Sequence, residues 1–199
     1  MINTETKEID NLKINRSFEI SNKIKAIFLL EEFLGGFEGK HILDIGCGAE
    51  ISLDITRRGY SPDMAEVISK RGGIVYGLDQ GFINRSKSYL ERFRKETGVI
   101  PIPGRIEHIE EVLEGKQFDG IVSASVMGYP TKSLNWIEAM QKLYSLTKPG
   151  GYHCHFKLMG EEVNINRNNL EEIGFTVLSY FKENSEIGSA LVLHKEYNS

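Results

Sequence analysis

Apolar positions along the 199-residue chain fall into two alternating spacings, and each predicts an element. From Phe18 to Leu34, residues Phe18, Ile20, Ile24, Ile27, Phe28 and Leu34 keep helical spacing until the Gly35–Gly36 pair ends the run. Residues 1–15 before it mix both charge signs without an apolar stripe and are expected to be a flexible N-terminus. His41–Ile45 (HILDI) is a short apolar run stopped by Gly46, Cys47 and Gly48, the pattern of a buried strand feeding a tight turn. Ser61 and Pro62 supply a hydroxyl cap and a first-turn proline, which predicts a helix over 62–71. Ile74–Asp79 reads as a second strand, and Asn84–Thr97 as a helix presenting Tyr89, Leu90 and Phe93. The third strand, Val99–Ile102, contains Pro101 and is followed by Pro103, so it is predicted to be short or at a sheet edge.

Further along, Arg105–Leu113 reads as a helix, Phe118–Ser123 as the fourth strand, Leu134–Leu146 as a helix, Tyr152–Met159 as the fifth strand and Asn168–Ile173 as a short helix. The last two runs, Phe175–Lys182 and Ser189–Lys195, are joined by a connection too short for a parallel crossover, which predicts an antiparallel hairpin. Strands alternating with helices give an α/β fold with a mostly parallel sheet, helices on both faces and one reversed strand near the end. No linker or repeat divides it, so residues 16–199 are expected to form one domain, with 16–38 as an N-terminal helical cap.

Composition narrows the function. With 40% hydrophobic and 26% charged residues the chain fits a soluble globular domain. Its 24 basic and 28 acidic residues give a net charge of −4 with no Lys/Arg stripe, which disfavours nucleic acid as an obligate partner. No window has the apolar length of a membrane span or the pattern of a signal peptide. Cys47 and Cys154 each lie in an apolar stretch and read as reduced thiols of a cytoplasmic protein. Nothing in the pattern sets an oligomeric state.

In an open parallel sheet a ligand sits beyond the carboxyl ends of the strands, which here are DIGCGAE (44–50), LDQ (78–80) and VSAS (122–125). Asp44 decides which ligand. Its carboxylate, two residues before the first glycine, opposes a pyrophosphate, and Ile51 stands where the dinucleotide fingerprint needs glycine or alanine. A nicotinamide oxidoreductase is therefore disfavoured. S-adenosylmethionine carries a sulfonium and an ammonium and no phosphate, and the same carboxylate attracts it. Asp79 is placed to accept from ribose hydroxyls of either ligand, or to serve as a helix N-cap ahead of residue 84.

HILDIGCG (41–48), VYGLDQ (75–80), FDGIVSASV (118–126), LTKPGG (146–151) and the closing hairpin together resemble the class I S-adenosylmethionine-dependent methyltransferases. The resemblance implies a Rossmann-like three-layer sandwich around a seven-stranded, mostly parallel sheet of order 3-2-1-4-5-7-6, with strand 7 antiparallel. It implies that Asp44, Gly46 and Gly48 line the methionine and ribose side, with Cys47 in the same turn. Asp79 would hold the ribose, with Gln80 beside it. Ile106 and Glu107 would lie by the adenine, and Ser123 beside the sulfonium. Three departures stand out: Glu50 where many members have a third glycine, an insert over 51–60 between Asp44 and Asp79, and Arg105 where the family often has a polar or acidic residue.

Methyl transfer from a sulfonium is an in-line displacement, and a base is needed only where the acceptor must lose a proton. On the fifth strand, alternation puts His153, His155 and Lys157 on one face, and a polar face predicts a bordering cleft. His155 is the candidate base for an oxygen acceptor. Two histidines without a completing Cys or carboxylate do not make a metal site, so no metal is expected. The loop 126–132 and the N-terminal helix would cover the acceptor, with Tyr129, Phe18 and Arg16 as candidate contacts. The expected activity is methyl transfer to oxygen or nitrogen of a small molecule, leaving S-adenosylhomocysteine. The alternative is an inactive cofactor-binding or partner-binding module of the same fold, which Glu50 and the absence of a base signature keep open.

Overall fold

The computed structural model describes residues 18–51, 62–124, 136–156, 167–181 and 190–197. In chain order the elements are α1 (Phe18–Leu34), β1 (His41–Ile45), α2 (Asp63–Lys70), β2 (Ile74–Asp79), α3 (Lys87–Thr97), β3 (Ile100–Pro103), α4 (Ile109–Val112), β4 (Phe118–Ala124), α5 (Trp136–Ser145), β5 (Thr147–Phe156), α6 (Arg167–Ile173), β6 (Phe175–Phe181) and β7 (Ala190–Lys195). Single 3₁₀ turns, Gln80–Phe82 and Ile106–His108, follow β2 and β3.

Among the described residues the strands form one sheet of order β3-β2-β1-β4-β5-β7-β6. The pairs from β3 through β5 are parallel, and β7 runs antiparallel to both β5 and β6. The order is the one the family resemblance implied, and the reversed strand is the one the closing hairpin predicted. The edge position of β3 explains its two prolines, since an outer strand has ladder positions that need no N–H donor.

Each face of the sheet carries its own helices. On one, Ile42, Val75, Val122 and Cys154 pack under α1, α2 and α3 through Ile27, Leu30, Ala65, Ile68 and Phe93. On the other, Leu43, Ile45, Ile121 and Leu193 pack under α4, α5 and α6 through Ile109, Met140, Leu143 and Leu170. Fully burying one such side chain contributes about 1.5–3 kcal/mol, so the two apolar layers fix the sheet between its helices. α1 accordingly lies across β4 and β5, with Ile27 of the predicted stripe buried against them.

Several boundaries differ from those predicted. The helix expected from Asn84 begins at Lys87, because the Ser86 hydroxyl accepts the Tyr89 N–H at 3.2 Å and caps it there. In place of a helix over 105–113 stand the 3₁₀ turn and the single turn of α4. The fifth strand begins at Thr147, not Tyr152: Thr147 pairs with Phe118, the register shifts, and Tyr152 then pairs with Gly120. Lys148 holds the early part, donating to Asp119 Oδ2 at 2.8 Å. Ser61, Lys157 and most of the 51–60 insert lie outside the described residues.

Candidate cofactor site at the strand ends

The turn after β1 crosses over the end of β2. Gly46 takes φ +68° and Gly48 φ +92°, left-handed values that favour glycine. With that geometry the Gly46 N–H donates to Leu78 O at 2.7 Å, and the Gly48 N–H donates to Asp79 Oδ2 at 3.0 Å. The other Asp79 oxygen accepts the Gly81 N–H at 2.7 Å and caps the 3₁₀ turn Gln80–Phe82. Asp79 is thus a cap, as one reading of the sequence expected, of a turn nearer than residue 84. It also ties the β1 turn to β2 through Oδ2, and each carboxylate oxygen keeps a further lone pair for a hydroxyl donor.

Close approach explains another residue of this corner. A Cβ on Gly77 would stand 2.5 Å from Cys47 Sγ, so β2 must be bare where the turn packs on it. Cys47 is buried, and its thiol pKa is raised well above the usual value by that burial and then by the negative charges of Asp44 and Asp79. It stays a thiol, donating to Gly48 O at 3.2 Å. Asp44 itself is 1% exposed. Two carboxylates therefore bear on one turn whose own sequence, GCGA, has no basic residue.

Glu50, the residue that stands in place of a third glycine, pairs with Arg85 at 3.2 Å. The Arg85 guanidinium lies over the Tyr89 ring at 4.7 Å, and the Tyr89 hydroxyl donates to Ala49 O at 2.7 Å. The end of the glycine turn is thereby fastened to α3. Gln80 follows Asp79 in the first 3₁₀ turn, and Ile106 and Glu107 open the second, half-buried beyond the end of β3.

Ser123 and His155 end up side by side on the neighbouring pair of strands, in register with one another and with Ile45 on β1. Their polar face is buried where the sequence predicted an open cleft: Ser123, His153 and His155 are all 0% exposed, lying on the face packed under α5 and α6. Ser123 Oγ is 2.9 Å from His155 Nδ1, and His155 Nε2 is 3.2 Å from His153 Nδ1. Both nitrogens of His155 are occupied within the sheet, and burial pushes its pKa down to about 4. Sequence reasoning missed Thr147, whose hydroxyl closes this chain at 2.6 Å from His153 Nε2. Arg16 and Tyr129 lie outside the described residues, as does the side chain of Phe18. Among the described residues no group of three or more His, Cys, Asp or Glu is arranged to hold a metal ion. No helix among them is long and apolar enough to cross a membrane.

No family model matches the chain. The chain is similar to the ubiquinone biosynthesis O-methyltransferase of Acinetobacter baylyi, 30% identical over 141 residues, which are 70% of this chain and 49% of that protein. Its counterpart in Salmonella arizonae is 27% identical over 128 residues, covering 61% of this chain and 44% of the relative. The chain thus spans about half the length of the curated relatives it matches. Among solved structures, the N-methyltransferase NodS of Bradyrhizobium japonicum superposes with a TM-score of 0.60 at 16% identity, covering 92% of this chain and 99% of that one. The chain has the class I S-adenosylmethionine-dependent methyltransferase fold. A TehB-like methyltransferase of Corynebacterium glutamicum shares that methyltransferase fold at a TM-score of 0.60 and 15% identity, over 98% of this chain and 96% of its own.

Proposed function

We propose that the chain binds S-adenosylmethionine at the carboxyl ends of β1, β2 and β4 and transfers its methyl group to an oxygen or nitrogen atom of a small molecule. The observation that carries this reading is the pair of carboxylates, Asp44 buried and Asp79 clamped by two backbone N–H groups, at a glycine turn without a basic residue. Such a field attracts a sulfonium and an ammonium and repels a pyrophosphate. The curated relatives are named O-methyltransferases, which favours oxygen over nitrogen as the acceptor atom. A cytoplasmic setting fits the two cysteines, both free and buried.

S-adenosylmethionine supplies a methyl group on a sulfonium leaving group. The chain's residues do the rest by placement. Asp79 offers its remaining lone pairs to ribose hydroxyls while holding Gly48 and Gly81 in position. Gly46 and Gly48 let the backbone come close. Glu50, fastened to Arg85, leaves the turn without an unpaired carboxylate at its end. Ile106 and Glu107 would flank the adenine, and Ser123, buried at the end of β4, would lie behind the sulfonium. With both ring nitrogens on Ser123 and His153, His155 acts on an acceptor only through Ser123.

Isothermal titration of the protein with S-adenosylmethionine, S-adenosylhomocysteine and NADH tests the binding half. Binding of the first two and not of NADH is expected; NADH binding alone overturns the reading. Formation of S-adenosylhomocysteine with a panel of phenols and amines tests the transfer half, and cofactor binding without turnover across the panel favours the inactive-module alternative.

A further inference from the structure

Four buried polar side chains run in line from the carboxyl end of β4 to the start of β5: Ser123, His155, His153 and Thr147, each 0% exposed. The direction of every hydrogen bond between them follows from one fixed end. Leu143 O is a carbonyl and can only accept, so Thr147 spends its single hydroxyl hydrogen there, at 2.6 Å. Thr147 Oγ1 therefore meets His153 Nε2 with a lone pair, and that nitrogen carries the hydrogen. Burial keeps the ring neutral, aided by the Lys195 ammonium, which donates to Tyr144 O at 2.9 Å and Thr147 O at 2.8 Å. His153 Nδ1 then has only a lone pair to offer and accepts from His155 Nε2–H. His155 Nδ1 accepts in turn from the Ser123 hydroxyl. The Phe175 ring packs against His153 in a T-shaped contact at 4.7 Å between centroids.

Such a chain is poorly suited to carrying a proton away, because it ends on a peptide carbonyl and each ring is desolvated. What it does have is a common direction. All four bonds, Ser123 to His155, His155 to His153, His153 to Thr147 and Thr147 to Leu143, point their hydrogens away from the strand ends. Aligned hydrogen-bond dipoles reinforce one another in a low-dielectric interior, as they do along a helix. We infer that Thr147, His153 and His155 are positioning residues that commit the Ser123 hydroxyl hydrogen inward and turn the negative pole of the chain toward the cofactor, favouring a cationic sulfonium over its neutral thioether product. The inference rests on the cofactor proposed above, and it assigns these residues no contact with the ligand.

The first test needs no variant. Long-range ¹H–¹⁵N correlation spectra of the wild-type protein near neutral pH should show His153 and His155 neutral with the hydrogen on Nε2. A hydrogen on Nδ1 of either ring, or a charged ring, overturns the relay. The second test compares Kd for S-adenosylmethionine with Kd for S-adenosylhomocysteine in two substitutions. In His155→Asn the amide oxygen takes the place of Nδ1 and still accepts from Ser123, while the link to His153 and the dipoles behind it is lost, so the ratio should shift only about twofold against the sulfonium. In His155→Gln the side chain reaches the Nε2 position and leaves Ser123 without its acceptor, so the ratio should shift about fivefold against the sulfonium. A shared loss of both affinities, or equal shifts in both variants, shows a merely structural role and overturns the inference. Failure of the wild-type protein to bind either ligand overturns the cofactor reading and with it the role at the site, an outcome the spectra distinguish from failure of the relay itself.

Discussion

The two halves of the strand-end site handle polarity in opposite ways. On the β1–β2 side stand charges: Asp44 and Asp79, the second held by backbone N–H groups from Gly48 and Gly81. On the β4–β5 side Ser123, His155, His153 and Thr147 are wholly buried and joined to one another. A carboxylate can stay ionised where amide donors and an incoming cation compensate its lost hydration. An imidazole closed under two helices has no such compensation and stays neutral, so its stabilisation comes from hydrogen bonds whose every donor has an acceptor. Polar residues at the end of a parallel sheet are thus two different devices, one that attracts by charge and one that orients by hydrogen bonds.

Acid separates the two most sharply. His155 has a folded pKa of about 4 against an ordinary value of 6.5, so between those values the unfolded chain binds a proton that the folded chain refuses. Stability contributed by the neutral ring is fully present above pH 6.5 and is lost as pH falls toward 4, a loss of about 3 kcal/mol for this residue at 1.36 kcal/mol per unit. His153 acts in the same direction. Asp119 does not confuse the window. Burial alone would raise its pKa, but Lys148 and the His41 N–H outweigh it and hold the carboxyl below 3.8, so its contribution is lost only at lower pH. Urea unfolding at pH 7 and pH 4.5 should show the fall, and a His153→Leu/His155→Leu double variant should flatten it. An unchanged slope in that variant would mean the neutral relay is not what distinguishes this half.

Removing the charge device should be felt in binding. Asp79→Ala takes away an acceptor of two backbone N–H groups and of the proposed ribose hydroxyls, and S-adenosylmethionine affinity should fall by about thirtyfold, or about 2 kcal/mol. Asp79→Asn, which keeps one acceptor oxygen, should lose less. Equal affinity in wild type and Asp79→Ala, measured by titration calorimetry, would remove the charged half from the site.

How much of this was legible in the sequence differs between the halves for a physical reason. Asp44, the glycines and Asp79 sit at the ends of short apolar runs, so local pattern alone placed them at the carboxyl edge; the hairpin gave the reversed strand, and the strand order came only from the family resemblance. Period-two alternation correctly put His153 and His155 on one face, but alternation says which residues share a face and nothing about what packs over it. The covering helix α5 brings in Leu143 and the start of β6 brings in Phe175, and the chain is completed by Thr147, which lies just before a Lys-Pro-Gly-Gly stretch that looks like a turn. That stretch is strand because Lys148 reaches Asp119 on β4, a contact between residues far apart in sequence. Likewise Ile106, Ile109, Val112 and Leu113 have helical spacing, yet only a 3₁₀ turn and one α-turn form before Gly115 ends the segment.

The smallest effect tests whether Glu50 belongs to the charge device at all. It lies directly after the glycine turn and is a third carboxylate near Asp44 and Asp79, so a purely electrostatic account would have it add to cofactor attraction. The geometry argues otherwise, because its charge is matched by Arg85 at 3.2 Å, with both side chains about one-third exposed. A pair so open to water contributes about 1 kcal/mol or less to stability. Glu50→Ala should therefore lower stability by less than about 1 kcal/mol and change S-adenosylmethionine affinity by less than about twofold. Arg85→Ala, which also removes the cation from the Tyr89 ring, should cost slightly more stability while leaving Tyr89 bonded to Ala49 O. A loss of affinity in Glu50→Ala approaching that of Asp79→Ala would place Glu50 among the attracting carboxylates, and the charged half of the site would then extend past the turn to α3.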